Sequence, residues 1–344
     1  MTNKLTIATT HSGGEGVGEG ARAAGLRHLW GLEHKDAIAQ VARDNGFNVL
    51  TGDVTTWNPT GLEPPDVLHA SPPCPNFSNA KQGGIETEQD IELARATVRF
   101  LTVLKPRYFT LENVWLYRKS KSWALIQDTL NLLGYWSQIH HLNAADFGVP
   151  QTRKRMIVRA VQGGFLPPLP PAEKWIGWYE TIKDLLPGLP NDQFAPWQIT
   201  GMPEGLYEST LVDSAGYPDK NGVRIPVMRK VNEPANTIVA NLARRPMRAF
   251  LVTGVYGQPM GTPNRKVLLR QQEQPAPVVT AGASVRQWRA AIPGRVVKMT
   301  SRCLARFQSF PDSYHLPDKA PLAATVVGNA VPPLMYQKIV ELFE

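Results

Sequence analysis

The sequence predicts an α/β fold, a doubly wound and mostly parallel sheet, with a second, irregular and β-rich domain after it. Three observations carry this reading. Short apolar, strand-like runs alternate with amphipathic helical stretches from Leu5 to Ala160. A glycine-rich turn follows the first run, as in a nucleotide-binding strand–loop–helix unit. From about Gly163 helix periodicity fades, while prolines and glycines stay frequent to about Gly294.

The elements follow in order. Leu5–Thr9 is the first strand, and His11 to Gly20 is the glycine-rich turn. Ala21 to Ala24 reads as helix, closed by Gly25. Leu29–Glu33 is a second strand ending in an acid. Lys35 to Asn45 is an amphipathic helix stopped by Gly46. Val49-Leu50 leads through Gly52 to Asp53, a third strand ending in an acid. An acid about 20 residues beyond a glycine loop is placed to meet ribose hydroxyls. Asp66–Ala70 is a short buried strand, and Asp90 to Leu104 a helix with Ile91, Ala94, Val98 and Leu101 on one face. Tyr108–Leu111 is a strand with Glu112-Asn113-Val114 at its end. Trp123 to Leu133 is helical, Ser137–His141 and Arg155–Ala160 are strands, and Thr300 to Gln308 is a late helix. Gly328-Asn329-Ala330-Val331-Pro332-Pro333 opens a last helix that runs to Phe343. In an open α/β sheet, ligands bind beyond the carboxyl ends of the strands. His11, Glu33, Asp53, Cys74 and Glu112 all fall at such ends.

The stretch Ser71-Pro72-Pro73-Cys74-Pro75-Asn76-Phe77-Ser78 puts a lone thiol where a strand meets a stiff turn. Prolines on both sides fix φ and remove backbone donors. Taken alone, such a cysteine is more often a small buried apolar residue than a nucleophile. The polar residues gathered at the other strand ends reverse that judgement. Asn79 to Glu88 is polar, contains Gly83-Gly84 and suits a mobile loop.

At 344 residues the chain is long enough for two domains, and its 42% hydrophobic and 19% charged content is ordinary for a globular protein. No apolar run reaches the roughly 18 residues of a membrane span, and the first residues lead straight into a strand-like run, so no signal peptide is expected. Only Cys74 and Cys303 occur, so a cytoplasmic, disulfide-free protein is expected. The net charge of +8 is uneven. Residues 221–302 carry fourteen Lys/Arg against Glu233 and Glu273, which is +12, and leave −4 on the remainder. A basic segment on a near-neutral body points to a polyanion partner. That segment holds a weak repeat: Pro234-Ala235, Ala240, Arg245 and Arg248 recur 41 residues later as Pro275-Ala276, Ala281, Arg286 and Arg289. Each copy reads as a turn, a β-branched strand and an arginine-bearing loop.

These segments resemble the cytosine-5 DNA methyltransferase family over nearly the whole chain. The resemblance rests on the glycine loop at His11–Leu26, Glu33, Asp53, the Pro-Pro-Cys turn at Cys74 and Glu112-Asn113-Val114. It rests equally on Gly148-Val149-Pro150-Gln151-Thr152-Arg153-Lys154-Arg155, Leu304–Tyr314 and Gly328–Pro333, all in the family's order. It implies a Rossmann-like, doubly wound mixed sheet of the class I methyltransferase type. Residues 1–162 with 323–344 would form the catalytic domain. Residues 163–322 would form a smaller, irregular β-rich target-recognition domain.

The resemblance also implies an activity: transfer of a methyl group from S-adenosylmethionine to carbon 5 of a cytosine flipped out of double-stranded DNA, by a monomer. Cys74 would add to carbon 6 of the ring, and Glu112 would hold ring nitrogen 3. Arg153 and Arg155 would contact the base and nearby backbone. For the donor, Glu33 would bind the ribose hydroxyls, and Asp53 with Val54 the adenine. The backbone of Ser12, Gly13, Gly14 and Gly16 would face the methionine end. His11, Pro73, Leu93, Asn329 and Val331 would complete the pocket. Lys81, Arg244, Arg245, Arg248, Arg286 and Arg289 would meet DNA, and no metal is expected.

The chain departs from the family pattern at three positions: His11 stands for Phe, Glu15 for Gly and Pro75 for Gln. An acid at 15 would either oppose the donor's carboxylate or bind its ammonium. Other readings stay open at this level. One is an RNA (tRNA) cytosine-5 methyltransferase of the same fold, although the Cys-Phe-Thr segment usual in that branch is missing. Another is a cytosine-5-modifying or DNA-binding homologue with altered cofactor use, for which His11 and Glu15 are the motive.

Overall fold

The computed structural model describes residues 4–73, 86–193, 210–212, 217–218, 224–225, 227–238, 247–252, 255–256, 269–270 and 294–343. Cys74, Lys81, Arg244, Arg245, Arg286 and Arg289 lie outside the described residues, as does the second copy of the arginine repeat.

Seven strands form the main sheet: β1 (Thr6–Thr10), β2 (Arg27–Glu33), β3 (Val49–Thr51), β4 (Val67–Ala70), β5 (Tyr108–Asn113), β6 (Tyr135–Asn143) and β7 (Lys154–Gln162). Their spatial order is β3-β2-β1-β4-β5-β7-β6. The pairs β2–β3, β1–β2, β1–β4 and β4–β5 are parallel. Strand β7 runs antiparallel to both β5 and β6. The sheet is therefore mixed at one edge, because β6 and β7 form a long hairpin-like pair and need no crossover helix. Strand order reverses between β1 and β4, and a crevice opens beyond their carboxyl ends at such a point.

Helices α1 (Gly16–Ala23), α2 (Asp36–Asp44), α3 (Glu88–Leu104) and α4 (Lys121–Leu132) pack on this sheet, as does a late helix, Pro333–Val340. Helix α3 starts at a capping box, in which Thr87 N and Oγ1 both donate to Asp90 Oδ2, at 2.8 and 2.7 Å. Its inner face buries Ala94, Phe100 and Leu101. Helix α4 starts at Ser120, whose hydroxyl accepts from Trp123 N at 2.9 Å. The Glu86 carboxylate also receives the Lys121 and Ser122 amides there, at 2.9 and 2.8 Å.

Helix α1 begins at Gly16, earlier than the sequence suggests, so half of the glycine-rich stretch is helix. Glycine is a poor helix former, and close packing explains its use. A Cβ on Gly20 would stand 2.4 Å from the Pro333 carbonyl oxygen, and one on Gly16 2.5 Å from that of Val331. The backbone of α1 thus lies directly against the carboxyl-terminal helix Pro333–Val340.

The Gly328–Pro333 stretch also differs from expectation. Gly328 and Asn329 end one helix, Ala320–Asn329, and Pro333 begins the next. A run of small residues in the first helix, Ala323, Ala324 and Gly328, hides its periodicity.

A second, four-stranded antiparallel sheet pairs Met228–Arg229 with Thr210–Val212, then Arg248–Val252, then Gly294–Lys298. Its core joins Trp178, Ile182, Leu211, Ala249 and Val297 to Phe307 and to Val326 and Val327 of the helix Ala320–Asn329. Ile38 and Val41 of α2 belong to the same cluster. The two sheets are also tied by backbone: Ala235 N donates to Pro150 O, and Thr152 N to Ala235 O, at 3.0 and 2.9 Å. Among the described residues, no helix is long and apolar enough to cross a membrane.

Candidate active site

A cavity of about 1070 Å³ opens at the strand-order reversal. Of the expected donor-site residues, His11, Ser12, Gly13, Gly16, Glu33, Asp53, Val54, Pro73, Leu93, Asn329 and Val331 all line it. Glu112, Arg153 and Arg155 line it as well. Pro73 directly precedes Cys74 in the sequence.

Each wall follows from a strand end. Beyond β1 the chain turns through His11 and Gly13, with φ of 57° and 56°. Gly13 meets nothing within 4 Å where a Cβ would stand, so space is open beside its Cα. Glu33, at the end of β2, accepts from Gly13 N and Lys35 N, both at 2.9 Å. Asp53 is held well below the usual carboxylate range by the side-chain and backbone hydrogen bonds of Thr55, at 2.7 and 2.8 Å. It remains an anion facing the opening.

Gly14 stands apart from the other expected residues. It does not line the cavity; a Cβ there would meet Val326 Cγ1 at 2.4 Å, and its carbonyl accepts from Tyr314 OH at 2.6 Å. Gly14 serves packing between the glycine turn and the segment Phe310–Tyr314.

Glu15 also turns away. Its side chain is fully buried beneath the turn rather than in the cavity. It accepts from Thr9 Oγ1 at 2.5 Å and Gly18 N at 3.2 Å, and its Oε1 lies 3.1 Å from His28 Nε2. Gly31 makes room for it, since a Cβ there would meet Oε1 at 2.2 Å. The acid therefore neither opposes a carboxylate nor binds an ammonium in the cavity. It staples β1, β2 and α1 together.

At the other end, Glu112 on β5 is 7% exposed, and its Oε1 lies 2.9 Å from Arg155 Nε on β7. That contact balances charge without aligning an N–H on the oxygen, and Oε1 has no hydrogen-bond partner. Arg153 is 3% exposed and donates through Nη1 to the carbonyls of Gly328 and Ile238, at 3.1 and 3.3 Å, with Nη2 3.9 Å from Glu112 Oε1. Burial, with help from Arg155, lowers its pKa to about 9, so it stays charged near neutrality. Arg153 is thus a strut between β7, the second sheet's connection and the helix Ala320–Asn329, while Arg155 is the arginine on Glu112. Arg248, in the second sheet, pairs with Asp192 through Nε at 2.8 Å.

Two residues went unassigned in the sequence. Asn113 Nδ2 donates to Pro72 O at 3.1 Å, which joins the β5 end to the proline turn. Its place inside Glu112-Asn113-Val114 was the available signal. His69 lines the cavity and is hydrogen-bonded on both ring nitrogens, Nδ1 to Thr110 Oγ1 at 2.8 Å and Nε2 to Ser71 Oγ at 2.6 Å. Thr110 continues to Tyr336 OH at 2.9 Å. A polar residue within a short apolar strand was the hint there.

The lining fits a polar, nucleoside-sized ligand. His11 Nδ1 and Nε2, Ser12 Oγ and Glu112 Oε1 are buried and have no hydrogen-bond partner. Native proteins leave few such atoms, and a cluster of them at one cavity is a set of contacts reserved for something bound.

Solved structures share this architecture. A methyltransferase of Entamoeba histolytica, EhMeth, matches with a TM-score of 0.63 at 13% identity, over 99% of this chain and 98% of that one. A putative DNA modification methyltransferase from an Escherichia coli prophage matches with a TM-score of 0.58 at 17% identity, over 98% of each. Together with the mixed sheet and its crevice, these likenesses define the fold as that of a class I methyltransferase. The model of the C-5 cytosine-specific DNA methylase family matches residues 5–343. The chain therefore belongs to that family, and its activity is that of a DNA cytosine-5 methyltransferase. Relatives include the type II methyltransferase M1.HphI of Haemophilus parahaemolyticus, 28% identical over 98% of this chain and 86% of that protein. Mouse DNA (cytosine-5)-methyltransferase 1 is 32% identical over 49% of this chain and 12% of its own length. An activity of this kind requires a methyl donor.

Proposed function

We propose that the chain methylates carbon 5 of a cytosine flipped from a specific double-stranded DNA sequence, as the modification enzyme of a restriction–modification pair, with Cys74 as nucleophile. One observation carries this reading: Pro73, adjacent to Cys74, lines the same cavity as Glu112 and the glycine turn. Carbon 5 of cytosine is a weak nucleophile. The Cys74 thiolate would add to carbon 6, forming a C–S bond and pushing the ring electrons toward carbon 5. Glu112 would accept from the ring's amino group and share a proton with nitrogen 3, so that charge does not build on the ring. Arg155 would balance the charge of Glu112 and fix its carboxylate plane. Carbon 5 then forms its new bond to the methyl group. Loss of the carbon-5 proton to a base returns the electrons, breaks the C–S bond and frees Cys74.

The methyl donor of this reading is S-adenosylmethionine, which when bound supplies an electrophilic methyl group on a sulfonium. Glu33 would take the ribose hydroxyls, and Asp53 with Val54 the purine. Gly13 and Gly16 would admit the amino-acid end to their backbone, and Leu93, Asn329 and Val331 would wall the pocket. Lys81 and the arginines at 244, 245, 286 and 289 would meet phosphate and base edges from a recognition domain spanning residues 163–322. A duplex hides both reacting carbons, so the base must leave the stack at a cost of about a few kcal/mol.

The test is a duplex carrying 5-fluorocytosine at the target position. Fluorine cannot depart as a cation, so the ring stays bonded to the enzyme. Mass spectrometry should map that bond to Cys74 in the wild-type chain and find none in Cys74→Ser. An adduct elsewhere, or an active Cys74→Ser protein, removes Cys74 from the mechanism.

A further inference from the structure

We propose that the rim of the main sheet beside Glu112 carries a second DNA-holding surface, on which Trp115, Arg118, Lys119, His141 and Lys154 grip the phosphate backbone next to the target base. The inference rests on DNA as the substrate, and it adds a contact outside residues 163–322 and the Cys74 turn.

Three strands build this rim. Strand β7 runs antiparallel to β5 and β6, so the ends of β5 and β6 and the start of β7 share one edge. Trp115 opens the 3₁₀ turn Trp115–Lys119, two residues beyond the end of β5 at Asn113. His141 lies near the end of β6, and its ring stacks on Trp115 with centroids 4.3 Å apart and planes 12° from parallel. The guanidinium carbon of Arg118 sits 4.5 Å from the centroid of the same indole. Lys154 starts β7. The register pairs Asn143 with Lys154 and His141 with Met156, which puts Lys154 diagonal to His141 on one face.

Charge on this rim is unbalanced. From Val114 to Gln127 the chain has Arg118, Lys119 and Lys121 and no acid. Glu86 binds the Lys121 amide and offsets that lysine. Among the described residues, Arg118, Lys119 and Lys154 have no ion-pair partner. By contrast, Arg22, Arg27, Arg43 and Arg95 each meet an acid. Lys119, His141 and Lys154 are exposed, and Arg118 Nε has no hydrogen-bond partner. Partial burial, then Lys154 and Arg118, lowers the pKa of His141, so its ring stays neutral amid the positive side chains.

Cations without counter-charges repel one another and are stabilised by an anion. A guanidinium held on an indole has given up much of its freedom before binding, so little order is lost when it meets a phosphate. Position selects the anion. In the proposed reaction the target base meets Glu112, three residues before Trp115. A duplex that delivers a base there brings its flanking phosphates to this rim. Backbone contacts carry no sequence information, so the surface supplies affinity and register rather than choice of target.

The test is fluorescence anisotropy of the full chain on labelled duplexes with and without the target sequence, at about 50 to 200 mM salt. Arg118→Gln/Lys154→Gln should bind both duplexes about tenfold more weakly, and the slope of log affinity against log salt should fall by about 2. Lys105→Gln/Arg107→Gln is the matched control, since Arg107 also lies over a ring, that of Tyr108, at the opposite end of β5. It removes the same charge and should leave affinity and slope near wild type. A second measurement uses no variant: acetylation of wild-type lysines by an N-hydroxysuccinimide ester, read by mass spectrometry. Duplex should protect Lys119 and Lys154 and leave Lys105 reactive. An unchanged salt slope in Arg118→Gln/Lys154→Gln, an equal loss in the control, or unprotected Lys119 and Lys154 overturns this inference alone. A wild type that binds no duplex overturns the DNA reading with it.

Discussion

Asn113 Nδ2 donates to the Pro72 carbonyl at 3.1 Å, and this bond fixes the β5 end, which carries Glu112, to the turn that leads into Cys74. A single side chain thereby joins the strand that carries Glu112 to the proline turn. Asn113 is 3% exposed, and its Oδ1 accepts from Val114 N at 2.8 Å, so its amide orientation is itself fixed.

Replacing Asn113 with Ala should lower stability by about 1–3 kcal/mol, because the buried Pro72 carbonyl loses its partner. The methylation rate at saturating DNA and donor should fall further than that, by about 10²-fold, since small misplacements are costly in a near-attack geometry. Urea unfolding and single-turnover methylation measure the two effects. A variant destabilised but fully active would show that the bond supports the fold alone.

Glu112→Gln keeps the shape of the side chain and removes its charge. The rate of methyl transfer should drop about 10²–10⁴-fold, the usual worth of positioned acid–base help. DNA affinity, measured by gel shift, should stay within a few-fold of wild type. Equal losses in binding and rate would assign Glu112 to DNA holding rather than to the ring.

Glu15 gives the opposite expectation. Its carboxylate serves Thr9, Gly18 and His28 and has no face on the cavity. Glu15→Ala should cost about 2–4 kcal/mol in unfolding free energy by stranding those partners. Donor affinity of the folded fraction should change little. A stable Glu15→Ala protein with weakened donor binding would put the acid in the ligand site after all.

His69 predicts a pH effect. Burial, with a smaller contribution from His11, lowers its pKa to about 3 from the usual 6.5 of a free imidazole. The unfolded chain therefore binds a proton that the folded chain refuses between those two values. Stability is fully present above about pH 6.5 and declines as pH falls toward 3, by up to about 1.4 kcal/mol per pH unit. His69→Gln should flatten the fall in melting temperature between pH 6.5 and 5 by about one proton's worth. An unchanged slope would show that His69 is protonated in the folded protein.

Much of this was legible in the residues. The alternation of strand and helix gave the sheet, and strand ends gave Glu33, Asp53 and Glu112, because apolar runs that stop at an acid mark both a boundary and a rim. Legibility failed where tertiary contact overrode local preference. The start of α1 at Gly16 is invisible to propensity, since its glycines answer to the backbone of the helix Pro333–Val340. The helix Ala320–Asn329 was missed because small residues carry little periodic signal. Glu15 was legible as an acid in a glycine turn, yet its direction depends on the space left by Gly31, a residue on the next strand. Arg153 and Arg155 look equivalent in sequence, yet Arg153 precedes β7 and packs deep as a strut, while Arg155 lies on β7 as the partner of Glu112.

The close seating of α1 on the helix Pro333–Val340 has a consequence for biosynthesis. The wall formed by residues 325–331 is translated long after the glycine turn that it closes upon. A chain still emerging from the ribosome holds Glu33 and Asp53 but has no back to its pocket. A product cut short before residue 325 lacks that wall and is expected to be inert rather than partly active.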